Sequence, residues 1–253
     1  GSQEGADHFE CYPPDYQKAF EYYKYAGEGG YAVSLMNCGR VYFKGKLDDG
    51  KPNYEKAIYW YQRASDAGNA IATYKLGNIY SRGLHGSDPD PAQAFALYKQ
   101  SSGLKHDKAT FKMAQMYEDG VGVDRNHKLA IQSFRKAVLL KNIHSMIALS
   151  TFILNNDADP DDYCDNPTDK PKYQIGLKRE EKDELKRYKD AFILLEKAAN
   201  MKHKKNPIAK TKLAQLYIEG KGVEQDIEHA KQLLTEAAES GYEEASDILA
   251  QIS

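Results

Sequence analysis

Cysteine is scarce in this chain of 253 residues: Cys11, Cys38 and Cys164 are all there is. An odd count with no CxxC spacing and no regular pairing argues against a disulfide framework. A reducing compartment is the simpler setting, so a cytoplasmic protein is expected, or an exported or luminal one if an upstream signal has been removed. No apolar run approaches the roughly 18 residues of a membrane span, so no membrane insertion is expected. No basic stretch followed by a greasy one opens the chain, although Gly1-Ser2 reads as a cloning scar that could have replaced such a segment. Charge of one sign is also missing. Thirty-five basic residues face 37 acidic ones, which gives no field to attract nucleic acid or another polyanion. Tryptophan occurs once and tyrosine 19 times, so the 41% apolar content is flattered by tyrosine. With 28% charged residues, the balance points to a high surface-to-core ratio, as in an elongated molecule.

What is present is an internal repeat. A small residue recurs with a large apolar residue before it and tyrosine three positions on. The instances are Cys38-Gly39…Tyr42, Leu76-Gly77…Tyr80, Met113-Ala114…Tyr117 and Leu213-Ala214…Tyr217. Leu149-Ser150…Ile153 is a weaker copy, and Leu249-Ala250 is a stub near the end. Successive small residues are 38, 37, 36, 64 and 36 apart. A second pattern interleaves with the first: Ala19/Tyr22/Tyr23/Ala26, Ala57/Trp60/Tyr61/Ala64, Ala94/Leu97/Tyr98/Ser101, Ala130/Ser133/Phe134/Ala137, Ala191/Leu194/Leu195/Ala198 and Ala230/Leu233/Leu234/Ala237. Offsets of three, four and seven put these side chains on one helical stripe. Each repeat is therefore two amphipathic helices, A then B.

The punctuation agrees. Four residues before the opening alanine of each helix B stand Asp15, Asn53, Asp90, Asn126, Arg187 and Asp226. All but Arg187 are good N-caps, whose side chains accept from orphan amides of the first turn. Four residues past the closing position stand Gly30, Gly68, Lys105, Lys141, Lys202 and Gly241. Glycine suits a left-handed residue there, and lysine suits the helix dipole. Gly120-Val121-Gly122-Val123 and Gly220-Lys221-Gly222-Val223 read as tight interhelix turns plugged by valine. The small residue of helix A reads as a place where a neighbouring helix comes close, and the tyrosine as a filler with its hydroxyl at the edge.

These positions resemble the Sel1-like repeat (SLR) family, a branch of the tetratricopeptide-type α/α solenoids. Residues 209–241 match its pattern closely through Ala209, Leu213, Ala214, Tyr217, Gly220, Gly222, Val223, Asp226, Ala230, Leu233, Leu234, Ala237, Ala238 and Gly241. The resemblance covers roughly 15–150 and 190–253. It implies an all-α fold, a right-handed α/α superhelical solenoid of about 36-residue helix-turn-helix repeats. The expected layout is one domain over 1–253. It has an opening helix B at 15–30, repeats near 32–69, 70–106, 107–143, 144–205 and 207–242, and a terminal helix at 243–253. The half-repeats at both ends suggest an excerpt of a longer array, or caps. Members of such a family resemble one another as scaffolds and adaptors, so the resemblance implies a protein-binding role and no catalysis.

The fourth repeat departs from the pattern. Ser150, Ile153 and Arg187 replace the expected small residue, tyrosine and cap, and about 28 residues are inserted over 155–187. Asp157-x-Asp159-x-Asp161 hints at a calcium loop, but the sixth and twelfth positions are Asp162 and Thr168 rather than glycine and glutamate. The segment reads as a solvated acidic loop. Lys178 to Lys189 then reads as a solvated helix leading into helix B.

Chemistry is otherwise sparse. The seven histidines, His8, His85, His106, His127, His144, His203 and His229, show no metal-ligand spacing. Gly120-x-Gly122 follows no strand and lacks the rest of a dinucleotide fingerprint. Cys38 and Trp60 occupy core slots, and Lys202 to Lys205 reads as a solvated helix end. No cofactor and no metal are expected.

A solenoid lined by its A helices offers one inner face to a partner. The positions three before, one after and four after the small residue point that way, as in the ligand-facing positions of tetratricopeptide repeats. They are Met36, Arg40 and Phe43; Tyr74, Asn78 and Ser81; Phe111, Gln115 and Glu118; Ile147, Thr151 and Leu154. Aromatic anchors with polar neighbours suit peptide capture, and Arg40 and Arg82 would pair acidic groups of the partner. The same aromatics could instead pack laterally between repeats. The expected function is a non-catalytic scaffold or adaptor that holds a partner protein or peptide on this face. The alternatives are an enzyme that uses His144 or Glu118 there, or a structural, oligomerising spacer. Oligomeric state is left open.

Overall fold

The computed structural model describes residues 15–47, 49–84, 86, 88–155, 179–201 and 206–252, with the side chains of 179–183 excepted. Among these, the chain is helical and holds no strand. Its helices are α1 (Tyr16–Glu28), α2 (Ala32–Phe43), α3 (Tyr54–Asp66), α4 (Ala70–Tyr80), α5 (Pro91–Gly103) and α6 (Asp107–Asp119). They continue as α7 (His127–Leu139), α8 (Ile143–Leu154), α9 (Arg179–Ala199), α10 (Pro207–Glu219), α11 (Ile227–Ala238) and α12 (Glu243–Ile252). Even-numbered helices carry the A pattern and odd-numbered ones the B pattern. The chain divides into two compact units, Gly1–Gln100 and Ser101–Ser253.

All five expected N-caps form. Asp15, Asn53, Asp90, Asn126 and Asp226 each accept, through a side-chain oxygen, the amide three residues on, at 2.9 to 3.0 Å. Such a cap is worth about 1 kcal/mol. The cap residue also makes a second bond. Its own N–H donates to the carbonyl of the A-helix tyrosine: Asn53 to Tyr42, Asp90 to Tyr80, Asn126 to Tyr117 and Asp226 to Tyr217, at 2.8 to 3.1 Å. The last turn of helix A is thereby tied to the first turn of helix B in every repeat that keeps the tyrosine. In the fourth repeat Ile153 stands in the tyrosine's place, the Asn155 N–H donates to the Thr151 carbonyl at 2.9 Å, and the chain departs into the insertion.

The small residues have the packing reason read from the sequence. A Cβ on Gly39 would lie 2.5 Å from the Tyr61 ring, and one on Gly77 would lie 2.6 Å from the Tyr98 ring. Both rings are buried. Where helix B brings Phe134 or Leu234 to the same slot, the matching A residue is Ala114 or Ala214, in the same core cluster. Cys38 is fully buried beside Leu76, Trp60 and Ile79 in the core of the first unit. Burial pushes its thiol up to about 11, so it is a small hydrophobe at neutral pH. Cys11 and Cys164 lie outside the described residues, as do His8, His85, His203, Lys202 to Lys205 and the aspartates of the insertion.

Arg187 does not stand at a helix start. It lies inside α9, a 21-residue helix that already begins at Arg179. The run Arg179–Lys189 is rich in good helix formers with opposite charges three and four apart, so the helix propagates upstream and needs no cap there. This stretch is not simply solvated either, because Leu185 to Asp190 are half-buried. Arg187 stacks over Tyr188 at 5.2 Å with Glu184 3.6 Å away, and its Nε is buried without a hydrogen bond. The lysines at the ends of helices B also do more than meet a dipole. Lys105 and Lys141 adopt φ of 60° and 61°, the left-handed geometry that Gly30, Gly68 and Gly241 adopt in their repeats.

Buried hydroxyl pairs join successive helices: Ser65 with Thr73 at 2.7 Å, and Ser102 with Thr110 at 2.9 Å. At the next register Val138 and Met146 replace the pair, and Ser145, which stands where Ala72 and Ala109 stand in the earlier repeats, has its Oγ buried with no hydrogen-bond partner. Three substitutions therefore have signed effects in thermal melts of the full chain. Lys141→Gly relieves left-handed strain and should gain about 0.5–1 kcal/mol. Ser145→Ala removes an orphaned hydroxyl and should gain about 1 kcal/mol. Gly39→Ala overpacks against Tyr61 and should lose about 1–3 kcal/mol.

Candidate functional site

The inner-face positions fall into different environments. In the first unit the aromatics pack within their own repeats, helix A against helix B, rather than between repeats. Phe43 meets Tyr54 edge-on at 5.6 Å, Tyr74 lies on Tyr98 at 5.8 Å, and Met36 rests on the core. Asn78 and Ser81 hold a phenol. The Tyr98 hydroxyl donates to Asn78 Oδ1 at 2.8 Å and lies 3.3 Å from Ser81 Oγ, which itself donates to the Asn78 carbonyl. Arg82 is exposed. Arg40 is separate from this cluster. It lines a groove of about 370 Å³ between α1 and α2, with Asp15, Tyr16, Tyr23, Lys44 and Lys46. Lys46 sits over the Tyr16 ring at 5.3 Å, while Arg40 and Lys44 are exposed and make no ion pair among the described residues.

In the second unit, two of the expected positions come together. Glu118 at the end of α6 and Thr151 on α8 line a groove of about 200 Å³ with Ala148, Phe152 and Asn155. Its floor is apolar, with Phe152 buried, and its rim is polar. The helix register explains the meeting, because Glu118 stands four residues after Ala114 and Thr151 one after Ser150. Thr151 Oγ1 donates to the Ile147 carbonyl at 3.0 Å, which leaves its lone pairs free to accept. Gln115 accepts from Lys112 Nζ at 3.0 Å, and Phe111 packs on Phe134 and His144. His144 does not line the groove that Glu118 lines, so the two residues named for an enzymatic alternative do not share it.

The Glu118 carboxyl titrates above its usual range. Burial is the main cause and the neighbouring Asp119 charge adds to it, while His127 and Arg125 oppose. The Arg125 guanidinium is engaged elsewhere: its Nε donates to the Glu118 main-chain carbonyl at 3.0 Å. Among the described residues no group of three histidine, cysteine, aspartate or glutamate side chains could hold a metal. None of their helices is long and apolar enough to cross a membrane.

Tyr22, read as part of the helix B stripe, lies instead on the exposed side of α1. Tyr22, Tyr25, Tyr31 and Tyr59 are 57 to 81% exposed. The tyrosine excess is thus only partly a repeat slot.

Paired antiparallel helices, capped at each B start and tied through an A-helix tyrosine, define an α/α repeat protein of the solenoid class. The family model of the Sel1 repeat matches residues 4–31, 32–69, 70–106, 107–142, 173–203 and 207–242, and the chain belongs to that family. The crystal structure of a Sel1 repeat protein from Oxalobacter formigenes is similar at a TM-score of 0.65 and 23% identity, covering 88% of this chain and 82% of that one. The protective antigen c5321 of uropathogenic Escherichia coli, which displays an SLR fold, is similar at 0.50 and 23%, covering 92% and 59%. These likenesses concern the fold. No curated protein sequence matches the chain. Sel1 repeat proteins are generally protein-interaction scaffolds and are typically non-catalytic.

The raised Glu118 pKa has a signed consequence. The folded state holds this proton more tightly than the unfolded chain, so the ionised carboxylate penalises the fold once pH rises above the usual glutamate range. Glu118→Gln should melt higher than the parent at pH 7, and the gap should close below a pH of about 4. An unchanged melting temperature at both pH values would contradict the assigned burial.

Proposed function

We propose that this chain is a non-catalytic scaffold that holds a segment of a partner protein on the A-helix face of its second unit. The observation that carries the reading is the open groove between α6 and α8. An apolar floor of Ala148 and Phe152 under a rim of Glu118, Thr151 and Asn155 has the anatomy of a pocket for one anchoring side chain. The half-buried aromatics of the A helices are largely committed to packing on helix B of their own repeat, so they stiffen this face rather than supply free anchors. The exposed Arg40, Lys44 and Lys46 around Tyr16 and Tyr23 give the first unit its own cationic groove, suited to acidic groups of a partner. The buried thiol of Cys38 suits a reducing compartment, and we place the protein there.

The test is quantitative capture from the native cell with two folded baits, the parent chain and Thr151→Trp. The tryptophan fills the groove. At least one protein retained by the parent should fall by tenfold or more on the variant, and the purified pair should show the same loss by titration. Equal recovery on both baits would count against the groove. Arg40→Ala tests the cationic groove in the same way, with loss of a partner whose recovery also falls with added salt.

A further inference from the structure

We propose that the α6–α8 groove is a seat for a basic side chain, the lysine or arginine of a partner's peptide segment. The inference deepens the function proposed above and rests on it. Its first ground is an unmatched charge. Glu118 makes no ion pair among the described residues, although it is half-buried against α8. Asp119 adds a second negative charge on the exposed side. The cations nearby do not neutralise the pair directly. Arg125 is held on a backbone carbonyl, Lys112 is held on Gln115, and His127 begins the next helix. On the α8 side, the lining residues Ala148, Thr151, Phe152 and Asn155 bring no charge at all.

The second ground is the form of the groove. A lysine or arginine has an apolar stem and a charged head, and such residues bury the stem along apolar surface while the head stays polar. Here the stem meets Ala148 and the Phe152 ring. The head meets the Glu118 carboxylate, with the Thr151 hydroxyl oxygen and the Asn155 side-chain carbonyl available as further acceptors. An apolar anchor would leave the Glu118 charge covered and unpaired, which costs more than the contact returns. An acidic anchor would set two carboxylates side by side. A basic head reverses the penalty that burial now places on the ionised glutamate. A groove of about 200 Å³ takes one extended side chain rather than a helix.

The experiment is selection of random linear peptides by display on the purified full-length chain, followed by titration of the winners against the parent, Glu118→Gln and Thr151→Trp. Circular dichroism melts establish that both variants fold. Peptides of the expected kind share a lysine or arginine at a fixed position and lose binding on Thr151→Trp. They weaken about tenfold or more on Glu118→Gln, or when the basic residue becomes norleucine, as befits a charge-assisted contact. Winners lost on Thr151→Trp but indifferent to Glu118→Gln and to norleucine overturn the basic seat and leave the proposed groove standing. Winners indifferent to Thr151→Trp, or no enrichment over bare support, overturn both.

Discussion

Everything in the two units depends on how closely helix A can approach helix B. Gly39 and Gly77 remove the Cβ that would strike Tyr61 and Tyr98. That approach brings the tyrosine carbonyl at the end of helix A within reach of the cap amide of helix B. One small residue and one hydrogen bond thus set the spacing and the angle of each pair. The choice of residue follows the partner: glycine faces a tyrosine ring, and alanine shares its cluster with phenylalanine or leucine. Repeats with this seam need no disulfide and no metal, because each pair buries its stripe against the next. The price is an interior of small and medium side chains, with much of the charged surface left wet.

The fourth repeat shows what happens without the seam. Ile153 replaces the tyrosine, the Asn155 N–H donates to the Thr151 carbonyl, and the chain leaves for the insertion. Helix α9 then begins at Arg179, within the stretch read as a helix leading into helix B, and runs through Arg187 to Ala199. The polar accounting frays at the same place. Ser145 Oγ, Arg187 Nε and Asp190 Oδ2 are buried without hydrogen bonds. Burial raises the Asp190 carboxyl, with Lys186 opposing. The groove with the unmatched Glu118 adjoins this irregular repeat, through Thr151, Phe152 and Asn155 of α8. The proposed binding groove thus lies at the least regular repeat, where local rules yield to function in many proteins.

The helix pairs, the five B caps, the role of Gly39 and the core place of Cys38 and Trp60 were legible in the sequence. Each follows from spacing within one helix or between adjacent ones. What was not legible depends on contacts between helices. The tyrosine carbonyl ties leave no side-chain signal. The left-handed Lys105 and Lys141 carry residues that ordinarily avoid that geometry, so only their register with Gly30 and Gly68 could have betrayed them. The caps of the A helices at Asn69, His106 and Asn142 lie where no periodic alanine pointed. Among the inner-face positions, the register put Glu118 and Thr151 together, but the wheel could not show that Asn78 and Ser81 are occupied by Tyr98 or that Arg40 belongs to another groove.

The central claim is that the A-helix face of α6 and α8 is where a partner is held, while the B helices serve as its support. Amide hydrogen exchange on the full chain, free and saturated with a captured partner segment, tests it most directly. Added protection along the C-terminal halves of α6 and α8, with α7 and α11 unchanged, is the expected result. Protection confined to α7 or α11, with α6 and α8 exchanging as in the free chain, would contradict it.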